Sequence, residues 1–195
     1  EITMANILKE SARGIQPIAI EDEFLSGREI FLTGQIDADT SNELLKKLML
    51  LERDGCGREV TIYINSPGGE VISGLAMYDY IDMMRSPVRT VCIGTAASMG
   101  AILFLAGRKR EMLPHTRLMI HDPSYNHNDI GGRKPHEIQH ELDKLNETRE
   151  VLAEIISEKT GKSLEEIYSV TASDTYYNAQ EAVEFGLATA IMKGE

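Results

Sequence analysis

Apolar positions along the chain switch repeatedly between two spacings. Residues 29–36 (EIFLTGQI), 60–65 (VTIYIN), 88–94 (VRTVCIG) and 117–121 (RLMIH) are short and rich in β-branched or aliphatic side chains, and each reads as a strand. Segments with helical spacing run between them. Residues 40–52 carry apolar side chains at 44, 45, 48, 49 and 51, with Asp39 placed to cap. Residues 71–85 return to the same period and stop before Pro87. Residues 98–105 are apolar all round, which predicts a buried helix stopped by Gly107. A polar loop over 124–134 leads into a long helix from Pro135 to about Thr160, closed by Gly161. Ser163-Leu-Glu-Glu166 has the form of a capping box opening a further short helix. Residues 176–185 read as helical and 187–192 as a last strand.

Strand–helix alternation with buried strands predicts an α/β fold. A length of 195 residues fits one domain over 1–195, with about 1–20 as an N-terminal segment. The net charge of −11 argues against sequence-independent binding to nucleic acid or anionic lipid. The longest apolar stretch, 99–106, is too short to span a bilayer, and no secretory leader pattern opens the chain. Cys56 and Cys92 form no C-x-x-C pair, so neither zinc nor a redox couple is suggested. A reduced cytoplasmic setting is the simplest reading.

Three segments bear chemistry. In Gly94-Thr-Ala-Ala-Ser98-Met-Gly100 a strand runs into small residues and a serine at the mouth of an apolar helix. There the hydroxyl sits near the positive end of the helix dipole, beside backbone N–H groups that suit an oxyanion. The same placement suits a plain N-cap, so the segment alone leaves both readings open. Ala96 stands where G-x-S-x-G needs glycine, so this is not an α/β-hydrolase elbow. Ser66-Pro-Gly-Gly69 also links a strand to a helix. Its glycines allow close backbone approach, while Pro67 makes Ser66 read as a turn residue more than a rival nucleophile. His121 ends a strand, where ligands bind in α/β proteins, as a base or as a simple strand terminus.

Residues 136–140 (HEIQH) match H-E-x-x-H literally. Ile138, Leu142 and Leu145 form the apolar stripe of that helix, which places His136 and His140 nearly opposite it, toward solvent. No third ligand stands out downstream, so no metal site is expected. No G-x-x-x-x-G-K-[ST] occurs either, so no ATP is bound through a P-loop of this chain.

From about residue 12 to 191 the sequence resembles the Clp protease proteolytic subunit. Tyr63-Ile-Asn-Ser-Pro-Gly-Gly69 looks like the family's oxyanion-hole segment, Gly94–Gly100 like its nucleophile motif, and Leu118-Met-Ile-His121 followed by Asp-Pro like its histidine motif. The three occur in the family's order. The resemblance implies Ser98 as nucleophile and His121 as base. Asp174, in Ser173-Asp174-Thr-Tyr-Tyr-Asn-Ala179 before Glu184-Phe-Gly-Leu187, matches the orienting carboxylate. It implies the backbone N–H groups of Gly69 and Met99 as the oxyanion hole and Tyr63 as part of a partner-docking pocket. The implied fold is crotonase-like α/β with a projecting handle helix, the handle region covering about 124–160. The implied assembly is a tetradecamer of two stacked heptamers, or mixed rings with a paralogue. An AAA+ unfoldase would spend ATP and feed unfolded protein into the chamber for degradation to short peptides, a role in protein quality control. The chain itself would need no cofactor.

The sequence departs from the pattern in places. Asp122 follows His121 where the family usually has glutamine. Ser124-Tyr-Asn-His127 replaces a more glycine-rich run, and 106–114 is about two residues short. These departures fit a divergent second paralogue. They support an alternative in which the chain is a regulatory or scaffold subunit of a mixed ring, weakly active alone. An acyl-CoA enzyme of the crotonase type, needing no serine nucleophile, and a zinc peptidase using His136 and His140 are further alternatives.

Overall fold

The computed structural model describes residues 6–11, 14–53, 57–125 and 132–194. Cys56, Asn126, His127 and Gly131 lie outside the described residues. A hairpin comes first, β1 (Asn6–Ser11) and β2 (Gly14–Ala19), followed by α1 (Ile20–Ser26). The body then alternates: β3 (Glu29–Ile36), α2 (Ala38–Arg53), β4 (Val60–Gly69), α3 (Val71–Met83), β5 (Val88–Ala97) and α4 (Met99–Leu105). Two short strands follow, β6 (Lys109–Met112) and β7 (Arg117–Ile120). The long α5 (Pro135–Thr160) precedes α6 (Leu164–Thr171), β8 (Thr175–Asn178), α7 (Ala179–Phe185) and β9 (Ala190–Ile191).

Strands β3-β4-β5-β6-β9 lie side by side and parallel. Val60, Ile62, Ile64, Val88, Val91 and Cys92 of the central strands are buried, as a parallel sheet covered on both faces requires. Strand β5 divides its pairing. Residues 89–92 pair with β6, and 95–97 pair with β7, which in turn takes β8 antiparallel. Every residue of α4 is buried, which is why that segment is apolar on all sides.

Several boundaries differ from the sequence expectation. Asp37, not Asp39, caps α2: its Oδ1 accepts the Thr40 N–H at 2.9 Å, and the Thr40 hydroxyl accepts the Asp37 N–H at 2.8 Å. The Thr40 hydroxyl also donates to Asp37 Oδ1 at 2.6 Å, and this bond, followed by that from the Thr40 N–H, holds the Asp37 carboxyl below its ordinary range. Helix α3 ends at Met83, two residues early, because the Glu52 carboxylate takes the N–H groups of Arg85 and Ser86. Residues 175–178 are strand, not helix. Asn178 then starts α7 through a reciprocal capping box with Glu181. The last strand shrinks to Ala190–Ile191. Hairpin β1–β2, helix α1 and strand β6 have no counterpart in the sequence reading. The long helix runs Pro135–Thr160 as expected, with Gly161 left-handed at its end. Its buried residues, Leu152, Ala153 and Ile156, all lie in the second half, whereas 135–140 are exposed.

Candidate active site

Strand β5 delivers Ser98 at its C-terminal end, where the chain must turn sharply into α4. Ser98 adopts φ 54° and ψ −124°, a positive-φ conformation that costs a non-glycine residue about 1–3 kcal/mol. The turn is held by the Ser98 N–H, which donates to the Met119 carbonyl at 2.9 Å. Ser98 occupies the N-cap position, yet its side chain makes no capping bond. Its Oγ lies 2.9 Å from His121 Nε2 instead. The capping alternative therefore fails on geometry. Ser66, the rival serine, is fully buried, and its Oγ accepts the Gly68 N–H at 3.1 Å. It lies inside β4, paired with Ala96, because that strand continues to Gly69 and does not end at Asn65 in a turn.

His121 leaves β7 directly after Ile120, and Asp174 immediately precedes β8. The antiparallel pairing of Ile120 with Thr175 brings the two side chains together. His121 Nδ1 stands 3.3 Å from Asp174 Oδ1. This link is looser than a charge-assisted hydrogen bond of ~2.7–2.9 Å, and the Asp174 side chain is 60% exposed against 25% for His121.

The glycines of β4 pack in two directions, Gly68 against this turn and Gly69 against β3. A Cβ on Gly68 (φ 94°) would lie 2.6 Å from the Ala97 carbonyl oxygen, 2.7 Å from Ser98 Cβ and 3.0 Å from the Met99 nitrogen. One on Gly69 would strike the Ile36 carbonyl oxygen at 2.1 Å. Gly68 thus supports the serine turn directly, a role the sequence reading did not assign. The adjoining G-G was its one visible signal. Met99 opens α4, where N–H groups have no partner within the helix.

Beside the serine lies a cleft with about 330 Å³ of empty space, part of it open to solvent. Besides Ser98 and His121, its walls are apolar: Val71, Met99, Ile102, Ile120, Pro123, Leu152 and Ile156.

The remaining sequence candidates lie elsewhere. Tyr63 pairs with Val91, six residues before the end of β5, so it sits roughly 20 Å from Ser98 along the strand. Its hydroxyl donates to Glu29 Oε1 at 2.6 Å, and its ring stacks on the exposed Phe31 at 4.9 Å. Burial pushes the Tyr63 hydroxyl above its ordinary pKa, with the Glu29 carboxylate adding to the effect. Cys92 is buried, which likewise raises its thiol and leaves it a poor nucleophile. His136 and His140 are both exposed, and among the described residues no three His, Cys, Asp or Glu side chains gather as a metal-binding group. No helix among the described residues is long and apolar enough to cross a membrane.

Ser98 and His121 follow the parallel strands β5 and β7, and Asp174 precedes the antiparallel β8, so a hydroxyl, an imidazole and a carboxylate meet at one end of the sheet. The family model for Clp proteases matches residues 12–195, and the chain belongs to the Clp protease family. That membership makes it a peptidase of the Clp type with the expected α/β, crotonase-like fold.

Proposed function

We propose that the chain is a serine endopeptidase subunit in which Ser98 is the nucleophile, His121 the general base and Asp174 its orienting carboxylate. The contact that carries this reading is Ser98 Oγ to His121 Nε2 at 2.9 Å, from a serine whose strained backbone serves no cap. His121 takes the hydroxyl proton as Oγ attacks the scissile carbonyl, then returns it to the leaving amine. The N–H groups of Gly69 and Met99 receive the oxyanion. Asp174 stabilises the imidazolium and fixes its tautomer. The apolar cleft accepts an apolar side chain of the substrate next to the scissile bond.

The wider setting is part of the same proposal. Subunits form two stacked heptamers around a chamber, and an AAA+ unfoldase, which consumes the ATP, supplies unfolded protein. The aromatic surface around Tyr63 receives that partner. No cofactor acts in this chain.

A fluorophosphonate should modify Ser98, and Ser98→Ala should lower kcat at least 10⁴-fold. Peptide cleavage that continues while Ser98 stays unmodified would falsify the assignment.

The exposed, 3.3 Å His121–Asp174 link favours a second reading, a subunit of low activity alone that gains activity in rings shared with a paralogue. Rapid turnover of a short fluorogenic peptide by the isolated protein would remove it.

A further inference from the structure

Resting on the peptidase reading above, we infer that Asp122 and Arg149 are positioning residues, an ion pair between the His121 strand end and the long helix that keeps the imidazole aligned with Ser98.

His121 and Asp174 are bracketed by reciprocal contacts. On one side of each, Ile120 pairs with Thr175. On the other, the Asp122 N–H donates to the Thr171 carbonyl at 2.7 Å, where α6 ends. Thr175 Oγ1 closes the same turn by donating to the Val170 carbonyl at 2.6 Å. These bonds join β7 to α6 and β8 but not to α5. The Asp122 carboxylate makes that further connection: its Oδ2 lies 2.7 Å from Arg149 Nε, one turn before the buried Leu152 and Ala153 of α5. The Arg149 guanidinium also lies over the Tyr168 ring of α6, 4.4 Å from its centroid. One arginine thus touches both the residue after the proposed base and the helix before the proposed acid.

Two features make this more than a surface ion pair. Both side chains are about two-thirds covered, at 34% and 29% exposure. Arg149 Nε is itself buried and, despite its short approach to Asp122, has no hydrogen bond of good alignment. A buried donor left in that state is costly, which ties Arg149 to the Asp122 carboxylate beside it. The pair also governs charge. Asp122 is the neighbour of His121 in the chain, so an unpaired carboxylate there would compete with Asp174 for the imidazole. Arg149 neutralises it and draws it toward α5.

The test uses the assembled full chain, measuring kcat and KM on an apolar peptide and the rate at which a fluorophosphonate modifies Ser98. Arg149→Gln and Asp122→Asn should each lower kcat and the labelling rate about 10- to 100-fold, as small misalignments do, with KM within twofold. The double variant should be no worse than either single one, because both remove one interaction. Arg149→Lys, which keeps the charge, should recover most of the loss. A loss confined to melting temperature or assembly, with kcat per assembled subunit unchanged, overturns the inference, as does additivity in the double variant. Should Arg149→Gln not assemble, Asp122→Asn, which keeps the side-chain volume, decides by the same criteria. Ser98→Ala and His121→Ala separate the two claims. If they retain cleavage, the peptidase reading falls. If they abolish it while Arg149→Gln retains full kcat, only the positioning role falls.

Discussion

Ser98 sits at φ 54°, a backbone state that glycine adopts freely and alanine does not. Relieving it should stabilise the chain by about 1–3 kcal/mol, less about 0.5–1 kcal/mol for glycine's freedom when unfolded. Ser98→Gly should therefore melt about 2–4 °C above Ser98→Ala, with both inactive, as read by calorimetry. Equal melting temperatures would mean that the turn stores no strain. The same residue shows how far single positions could be read in advance. In sequence a serine opening an apolar helix is more often a cap than a nucleophile; the missing cap bond removes the commoner reading. Asp174 was legible only through resemblance, because an aspartate in a turn is common and its approach to His121 depends on pairing across 53 positions. Gly68 was not assigned because its role is a contact with residues 29 to 31 positions later.

Among the elements, β3 and α5 were read to the residue because each has one dominant period and clear stops. Errors arose where a side chain from another element took over. Residues 176–178 carry spacing compatible with a helix, but pairing with β7 holds them extended until Asn178 can cap. Helix α3 ends short of its apolar period because Glu52, on α2, captures the amides of Arg85 and Ser86. The hairpin β1–β2 lacks buried residues along most of its length, so no alternation marked it. The Glu52 contact has a pH signature. The Ser86 hydroxyl, helped by the Arg85 and Ser86 amides, holds the Glu52 carboxyl at about 2, against an ordinary value of 4.5. A depressed value means that the ionised form favours the fold. Its contribution is complete above about 4.5 and is lost as the pH falls toward 2. Glu52→Gln should cost ~1 kcal/mol at pH 7, roughly 2–4 °C in Tm, after allowance for solvent screening. The gap to wild type should close near pH 2 in acid melting curves. A gap that stays constant from pH 7 to 2 would rule out the carboxylate as its source.

For the molecule as a whole, the front half of α5 is weakly anchored. Ile138 and Leu142 are 39% and 46% exposed there, and the helix has no buried residue before Leu152. Such an apolar stretch is the natural contact between rings in the proposed assembly. Leu142→Asp should reduce the native mass below that of two stacked rings while leaving far-UV circular dichroism unchanged. An unaltered mass would place the contact elsewhere. The divided pairing of β5 has a separate consequence. Ser98 ends the stem of that fork, whereas His121 and Asp174 ride on one prong, the two short strands β7 and β8. Sliding this prong by one ångström would disturb its pairing with residues 95–97 of β5 and part the imidazole from Ser98, while the pairing among β3, β4, β5, β6 and β9 would persist. The proposed peptidase would then be silenced without melting, and its dormant and working forms would share nearly all their buried surface.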